Sequence, residues 1–145
     1  MTKPEPARTI QVDLGAVQKC VEVEFGRLSA RVAELRMAVL ATGDGRYLGG
    51  WFPEQRSGQR LSAIASSLLA ICETAGKEID AGACESAIVV ANRLNTVVVR
   101  VSAIGRQLVL ATAFRSELLL GAAVRHTGDA AARLAVAVDL CRRPA

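Results

Sequence analysis

The residues best suited to chemistry are few and scattered. The chain has four cysteines, Cys20, Cys72, Cys84 and Cys141, and one histidine, His126. No two cysteines form a C-x-x-C pair, so local spacing assembles neither a zinc knuckle nor a thioredoxin-like motif. A Cys–His catalytic pair stays open because it needs proximity only in the folded chain, although no local motif supports it. We therefore expect reduced, mostly buried thiols and neither a metal nor a cofactor.

Other catalytic candidates lie on one predicted helix and in one turn. Ser66, Ser67, Glu73 and Lys77 share the helix, and both serines fall on its solvent-facing arc. The turn at 43–45, Gly-Asp-Gly, lacks the lysine and the hydroxyl with which a Walker-type loop holds phosphate. Nothing here organises a nucleophile, a base and a third group that orients the base. The sequence thus predicts a protein that is not an enzyme.

Hydrophobic periodicity predicts the elements that position these residues. Apolar steps of three and four indicate helices, and alternating runs between glycine-rich turns indicate strands. The predicted elements are a helix from the Asp13 cap through Leu35, strands at 37–42 and 46–52, a helix at 58–78, strands at 84–91, 96–102 and 106–114, and a helix at 116–141. Short connections make the last three strands antiparallel neighbours. The expected fold is α+β, a three-layer α/β/α arrangement around a five-stranded antiparallel sheet.

The predicted helices differ in the width of their apolar arcs. The first helix has a stripe about 80° wide, whereas the second has an arc of about 160°. A helix that covers one side of a small sheet needs only roughly 100°. The excess has Ile64 and Ile71 at one margin and Leu69 at the other. The second helix is therefore predicted to have a second contact surface.

Composition restricts the class of protein. The 145 residues are 51% hydrophobic and 22% charged, which is typical of one folded domain, predicted at 12–141 between a flexible tail at 1–11 and a short tail at 142–145. No apolar run approaches the ~18 residues of a membrane span, and Met1–Pro6 lacks the layout of a signal peptide, so we expect a cytoplasmic protein without membrane insertion. The net charge is +4, but the arginines are interleaved with carboxylates and aromatics make up only 3%. No nucleic-acid partner is expected.

Several segments together resemble a known family. The run at 38–45, Ala-Val-Leu-Ala-Thr-Gly-Asp-Gly, precedes an apolar strand and the helix segment at 60–70, Arg-Leu-Ser-Ala-Ile-Ala-Ser-Ser-Leu-Leu-Ala. This pattern resembles the roadblock domain of dynein-type light chains and their bacterial relatives. The apolar segments at 87–90, 96–101 and 107–112, followed by Leu-Leu-Gly at 119–121, also fit the order of that family. The resemblance covers about residues 14–140.

The resemblance implies a function as well as a fold. It implies a homodimer whose third strands pair edge to edge and whose second helices pack on each other, and which binds a small Ras-like GTPase or scaffolds a signalling complex. The residues predicted at this dimer or partner interface are Ile64, Leu68, Leu69, Ile71, Ile88 and Val90. An arginine supplied in trans can accelerate GTP hydrolysis, and the loop candidates are Arg46, Arg56, Arg60 and Arg93. The alternative is a small-molecule sensor, since domains of this architecture sometimes enclose a ligand.

Overall fold

The structure is a computed structural model that describes residues 12–141. It contains three helices and five strands in the predicted order. Their bounds are α1 Leu14–Arg31, β1 Leu35–Thr42, β2 Tyr47–Trp51, α2 Gly58–Glu78, β3 Ser86–Val90, β4 Leu94–Ala103, β5 Arg106–Arg115 and α3 Leu120–Asp139. The predicted tails lie outside the described residues. None of the helices between residues 12 and 141 is both long enough and apolar enough to span a bilayer.

The five strands form one antiparallel sheet in the spatial order β2-β1-β5-β4-β3. β5 lies at its centre because it pairs with β1 on one side and with β4 on the other. The pairing of β4 with β5 runs from Leu94 opposite Arg115 to Ala103 opposite Arg106. β2 and β3 are consequently the two edges of this sheet, and among residues 12–141 the strand paired with β3 is β4.

Alternation of side chains along the strands separates two layers of core. On one face of the sheet, Val39 and Val98 pack with Leu69 of α2. On the other face, a larger cluster includes Phe25 of α1 and Leu134 of α3. The layers are thus one helix, the sheet and two helices, which confirms the predicted α+β, three-layer α/β/α fold.

The hairpin predicted at Gly43-Asp44-Gly45 is present between β1 and β2. Gly45 has a φ of +93°, a conformation in which a Cβ is strained, so glycine suits this position. The Thr42 hydroxyl donates to the Asp44 carboxylate and accepts from the Arg46 N–H at 2.9 Å. The hydrogen bond from Thr42 lowers the pKa of Asp44. A hydrogen bond from the Asp44 backbone and the positive charges of Arg46 and Arg106 lower this pKa further. Side chains as well as glycine therefore stabilise the turn.

The first helix is shorter than the prediction. It ends at Arg31, and Val32 has extended backbone angles, although its N–H still donates to the Leu28 carbonyl at 2.9 Å. Leu35 begins β1 instead of closing the helix. Both Val32 and Leu35 lie in the core beside α1, so their spacing continues the helical apolar period past the point where the backbone leaves the helix.

Several later boundaries also differ from the prediction, and the strand predicted at 84–91 is shorter, at Ser86–Val90. β4 begins at Leu94 because this residue pairs with Arg115 across the sheet. The last helix begins at Leu120 and not at Ser116. Ser116 donates its N–H to the Arg93 carbonyl at 2.9 Å and its hydroxyl to the Asn92 carbonyl at 3.0 Å. These bonds tie the chain after β5 to the β3–β4 turn and delay the start of α3.

Candidate partner interface

The outer face of α2 is an exposed apolar surface. The helix starts after Ser57, whose hydroxyl accepts from the Arg60 N–H at 3.3 Å. Ile64 and Ile71 lie seven residues apart and so share a face, where they are 62% and 66% exposed. Ala75 is exposed on the same face. An exposed cluster of isoleucines on a helix already anchored to its own core indicates a contact surface.

The opposite margin of the α2 arc belongs to the core. Leu69 is only 3% exposed and packs against the sheet with Ala65. Leu68 is half-buried and lies at the border between the core and the outer face. The structure therefore corrects the prediction for Leu69, which supports the surface from beneath and offers no free side chain. The helical wheel did not distinguish the two margins because both are apolar.

The edge strand β3 is a second exposed apolar feature. Within residues 12–141 it pairs with β4 alone, so its outer row of backbone groups faces away from the sheet. Ile88, Val89 and Val90 are all exposed, with Val90 at 69%. The other edge, β2, contains Gly49 and Gly50, which carry no side chain for a partner strand to pack on. Of the two edges, β3 is the better suited to strand pairing.

Register places the β3 side chains on different faces. Ile88 and Val90 lie opposite Val97 and Asn95, on the face that also carries α1 and α3. Val89 shares the α2 face with the buried Ala87. The sequence prediction includes Ile88 and Val90 and leaves out Val89. Side chains alternate along a strand, so the position of Val89 two residues after Ala87 already indicates that the two share a face.

The catalytic candidates lie apart from one another or already bond to other groups of the protein. The Ser66 hydroxyl donates to the Ser62 carbonyl at 2.9 Å, with the Thr42 carbonyl at 3.2 Å, and Glu73 pairs with Arg100. The side chains around His126 in its shallow groove are Leu28, Arg31, Arg125, Asp129 and Arg133, which include no cysteine. Over residues 12–141, no three His, Cys, Asp or Glu side chains are grouped so that they could hold a metal ion.

Cys20 and Cys141 form a close thiol pair that sequence spacing did not reveal. Their Sγ atoms are 3.4 Å apart, and both thiols point to the Ala137 carbonyl. Burial, followed by the Cys20 thiol, raises the pKa of Cys141 to about 11. A thiol with such a pKa stays protonated near neutral pH and is a poor nucleophile.

The four loop arginines do not form one group. Arg56 and Arg93 line a cleft at one end of the sheet, together with Arg36 and Arg115. Arg46 lines a groove at the other end of the sheet, beside Tyr47 and Arg106. Arg60 lies exposed in the first turn of α2.

Comparison with known proteins agrees with this geometry. MglB, the gliding protein of Thermus thermophilus, superposes with a TM-score of 0.74 at 18% identity, over 94% of this chain and 99% of that chain. An MglB with a tetrameric arrangement superposes with a TM-score of 0.75 at 19% identity, over 95% of this chain and 99% of that chain. A Roadblock/LC7 domain from Streptomyces avermitilis superposes with a TM-score of 0.65 at 20% identity, over 79% of this chain and 91% of that chain. At these identities the likeness shows the fold alone.

The family follows from the sequence match. Curated proteins gave no significant match. The family model described as the Roadblock/LC7 domain matches residues 24–113, from the middle of α1 into β5. This segment contains α2, the strands β1 to β4 and most of β5. The chain belongs to the Roadblock/LC7 domain family.

Proposed function

We propose that this protein is a non-catalytic cytoplasmic homodimer that binds a small Ras-like GTPase and modulates its nucleotide state or its localisation. The observation that carries the proposal is the outer face of α2, where Ile64 and Ile71 are each about two-thirds exposed, together with the exposed β-branched side chains of the edge strand β3. Membership of the Roadblock/LC7 family supports it, and so does the tetrameric arrangement of a structurally similar MglB.

The proposed dimer uses both exposed features at once. Pairing of β3 with β3 of a second copy continues the five-stranded sheet across a two-fold axis. Because α2 lies on one face of the sheet, the same axis brings two α2 helices together on that face. Ile64, Leu68 and Ile71 then contribute the helix contact, and Ile88, Val89 and Val90 contribute the strand contact. The wide apolar arc of α2 is explained if its outer part packs on a second α2.

The proposed mechanism is positional. A preformed dimer presents a composite surface, and a GTPase whose switch segments fit this surface in one nucleotide state is shifted toward that state. Such a shift needs only a difference in affinity between the two states. It requires no nucleophile or base, which agrees with the engaged Ser66 hydroxyl and the protonated Cys141 thiol.

Binding to candidate GTPases tests the proposal directly. Purified protein is titrated with each GTPase loaded with GDP or with a non-hydrolysable GTP analogue, and the two affinities are compared. We expect a preference for one nucleotide form in the wild type and a weaker preference in Ile71→Ala. Val136→Ala is the matched control, since Val136 is 65% exposed on α3 at the other face of the sheet. Equal binding of both forms, or no binding to any candidate, contradicts a role in modulating the nucleotide state.

An open groove supports a second candidate function, that of a small-molecule sensor. It measures about 690 Å³ and lies beside the start of α1 and the β1–β2 turn, with Val17, Leu48 and Leu108 in its lining. Small-molecule pockets fall in the range of about 300–1,000 Å³. A metabolite that raises the melting temperature of a protein that stays monomeric would favour the sensor over the dimeric regulator.

A further inference from the structure

Four arginines converge on one cleft although they are far apart in the sequence. The cleft measures about 390 Å³ and lies at the end of the sheet where β1 begins and β5 ends. Arg36 belongs to the start of β1, Arg56 to the β2–α2 loop, Arg93 to the β3–β4 turn, and Arg115 to the last position of β5. We call these four residues with their cleft the arginine cleft.

Backbone hydrogen bonds hold three of these segments in place. The Arg115 N–H donates to the Glu34 carbonyl at 2.8 Å, which joins the end of β5 to the residues before β1. The Ser116 N–H donates to the Arg93 carbonyl at 2.9 Å, which joins the β3–β4 turn to the same point. These bonds therefore join the backbone segments that carry Arg36, Arg93 and Arg115 at one end of the sheet.

Charges within the arginine cleft are unbalanced. Its two carboxylates are Glu54 and Glu117, and Glu54 already forms a salt bridge with Arg56 at 3.1 Å. Among the residues that the structure describes, Arg36, Arg93 and Arg115 take part in no salt bridge. Like charges gathered in one cleft repel each other, and a bound anion offsets that repulsion.

The chemistry of the lining selects the type of ligand. Apart from Pro53 and Leu94, the cleft is lined by charged and polar residues, so an apolar ligand would leave their polar groups unsatisfied. A planar guanidinium offers paired N–H donors that match two oxygens of a phosphate. We propose that the arginine cleft binds a phosphate group, held by Arg36, Arg93 and Arg115. The phosphate belongs either to a free phosphate compound or to a phosphorylated side chain.

Pyrophosphate is the first probe of the cleft. Isothermal titration and thermal unfolding are measured for the wild type and for the double variant Arg93→Gln/Arg115→Gln, with sodium chloride of equal ionic strength as the reference. We expect pyrophosphate to bind the wild type at least tenfold more tightly than the double variant, because charge-assisted hydrogen bonds are lost. The control variant Lys19→Gln/Arg27→Gln removes the same charge from exposed positions on α1 and should bind pyrophosphate as the wild type does.

The second set of probes separates the two sources of phosphate. A phosphoserine peptide, its unphosphorylated form and inorganic phosphate are titrated against the same three proteins. Tighter binding of the phosphopeptide than of inorganic phosphate and pyrophosphate assigns the cleft to a modified partner, and the reverse order assigns it to a free compound. Equal binding by the wild type and Arg93→Gln/Arg115→Gln, or stabilisation no greater than that by sodium chloride, overturns the proposal. Circular dichroism of both double variants checks that they are folded, and Arg93→Lys tests the guanidinium without changing the charge.

The test does not depend on the proposed GTPase function. The arginine cleft lies within one protomer, so phosphate binding is measurable whether or not the protein dimerises. Ile71→Ala should bind pyrophosphate as the wild type does, because Ile71 is not among the residues that line the cleft. Loss of dimerisation with intact phosphate binding would leave this inference standing while the proposed dimer failed.

Discussion

Ile71→Ala isolates the contribution of the outer face of α2 to self-association. Alanine lacks three carbons of the isoleucine side chain, each worth about 0.8 kcal/mol when it is fully buried. Ile71 is 66% exposed in the protomer, so about two-thirds of that gain, roughly 1.6 kcal/mol, is still available for burial in a dimer. A two-fold dimer contains this residue twice, which brings the total to about 3 kcal/mol. The dimer dissociation constant should therefore increase by roughly 200-fold.

Sedimentation over a range of concentrations measures this change. The wild type should sediment as a particle of about twice the protomer mass of 15.3 kDa, and the variant should dissociate at far higher protein concentrations. Thermal unfolding of the variant, measured at a concentration where both proteins are monomeric, should match the wild type because Ile71 lies outside both core clusters. The matched surface control, Val136→Ala, should retain the affinity of the wild-type dimer.

Two outcomes would refute the reasoning. If the wild type is monomeric at micromolar concentration, the outer face of α2 does not mediate self-association. If Ile71→Ala dimerises as tightly as the wild type, the dimer uses another surface. Leu69→Ala serves as the comparison for a core substitution in the unfolding measurement. Because Leu69 is 3% exposed, its replacement should lower the unfolding free energy of the monomer by about 2–5 kcal/mol.

Three further substitutions test the packing. Gly128→Ala should raise the unfolding free energy by about 1 kcal/mol, because an added Cβ meets no atom within 4 Å. Gly49→Ala should lower the unfolding free energy, because its Cβ would lie 2.7 Å from the Val21 side chain. Denaturant titration measures both changes, and a change of the same sign in both variants would contradict the packing described. Thr127→Val should lower the unfolding free energy by about 1–3 kcal/mol, because it removes the buried 2.7 Å hydrogen bond between the hydroxyls of Thr127 and Thr112. An unchanged denaturation midpoint would argue against that hydrogen bond.

Burial of the Cys141 thiol should make the stability of the protein depend on pH in the alkaline range. The folded state raises the pKa of Cys141 from 9.0 to about 11, so its neutral thiol contributes stability below pH 9 that is lost as the pH rises toward 11. Between these two pH values the wild type should lose more unfolding free energy than Cys141→Ala, and parallel pH profiles would show that burial of this thiol does not favour its neutral form.

Much of the fold follows from local patterns. The helix predicted at 58–78 has those bounds in the structure, because its apolar period is long and a hydroxyl at Ser57 caps its start. The hairpin at Gly43-Asp44-Gly45 is present, and its turn needs a positive φ at Gly45, where glycine is the residue that adopts it without strain. Boundaries were less predictable. Val32 and Leu35 continue the helical spacing because they pack into the same core as α1, although neither belongs to the helix.

The candidate interface was predictable only in part. The excess width of the α2 arc predicts a second contact surface, and Ile64 and Ile71 at one margin of that arc are exposed in the protomer. The arc does not tell which margin faces the sheet, and Leu69 at the other margin is buried. The predicted strand at 84–91 contained Val89, yet its position on the α2 face depends on the register with β4. Apolar residues look alike in a sequence, and only the packing partner distinguishes a core position from a surface position.

By itself, the sequence determined the order of the elements, their approximate bounds and the presence of more apolar surface on α2 than one small core can cover. These features depend on residues a few positions apart, whose contacts are set by the 3.6-residue and two-residue periods. The tertiary structure decided which distant segments meet. Because β5 lies between β1 and β4, Arg115 comes next to both Arg36 and Arg93, and Cys20 meets Cys141 because α1 and α3 share one face of the sheet. Such meetings depend on strand order and packing, which no local period specifies.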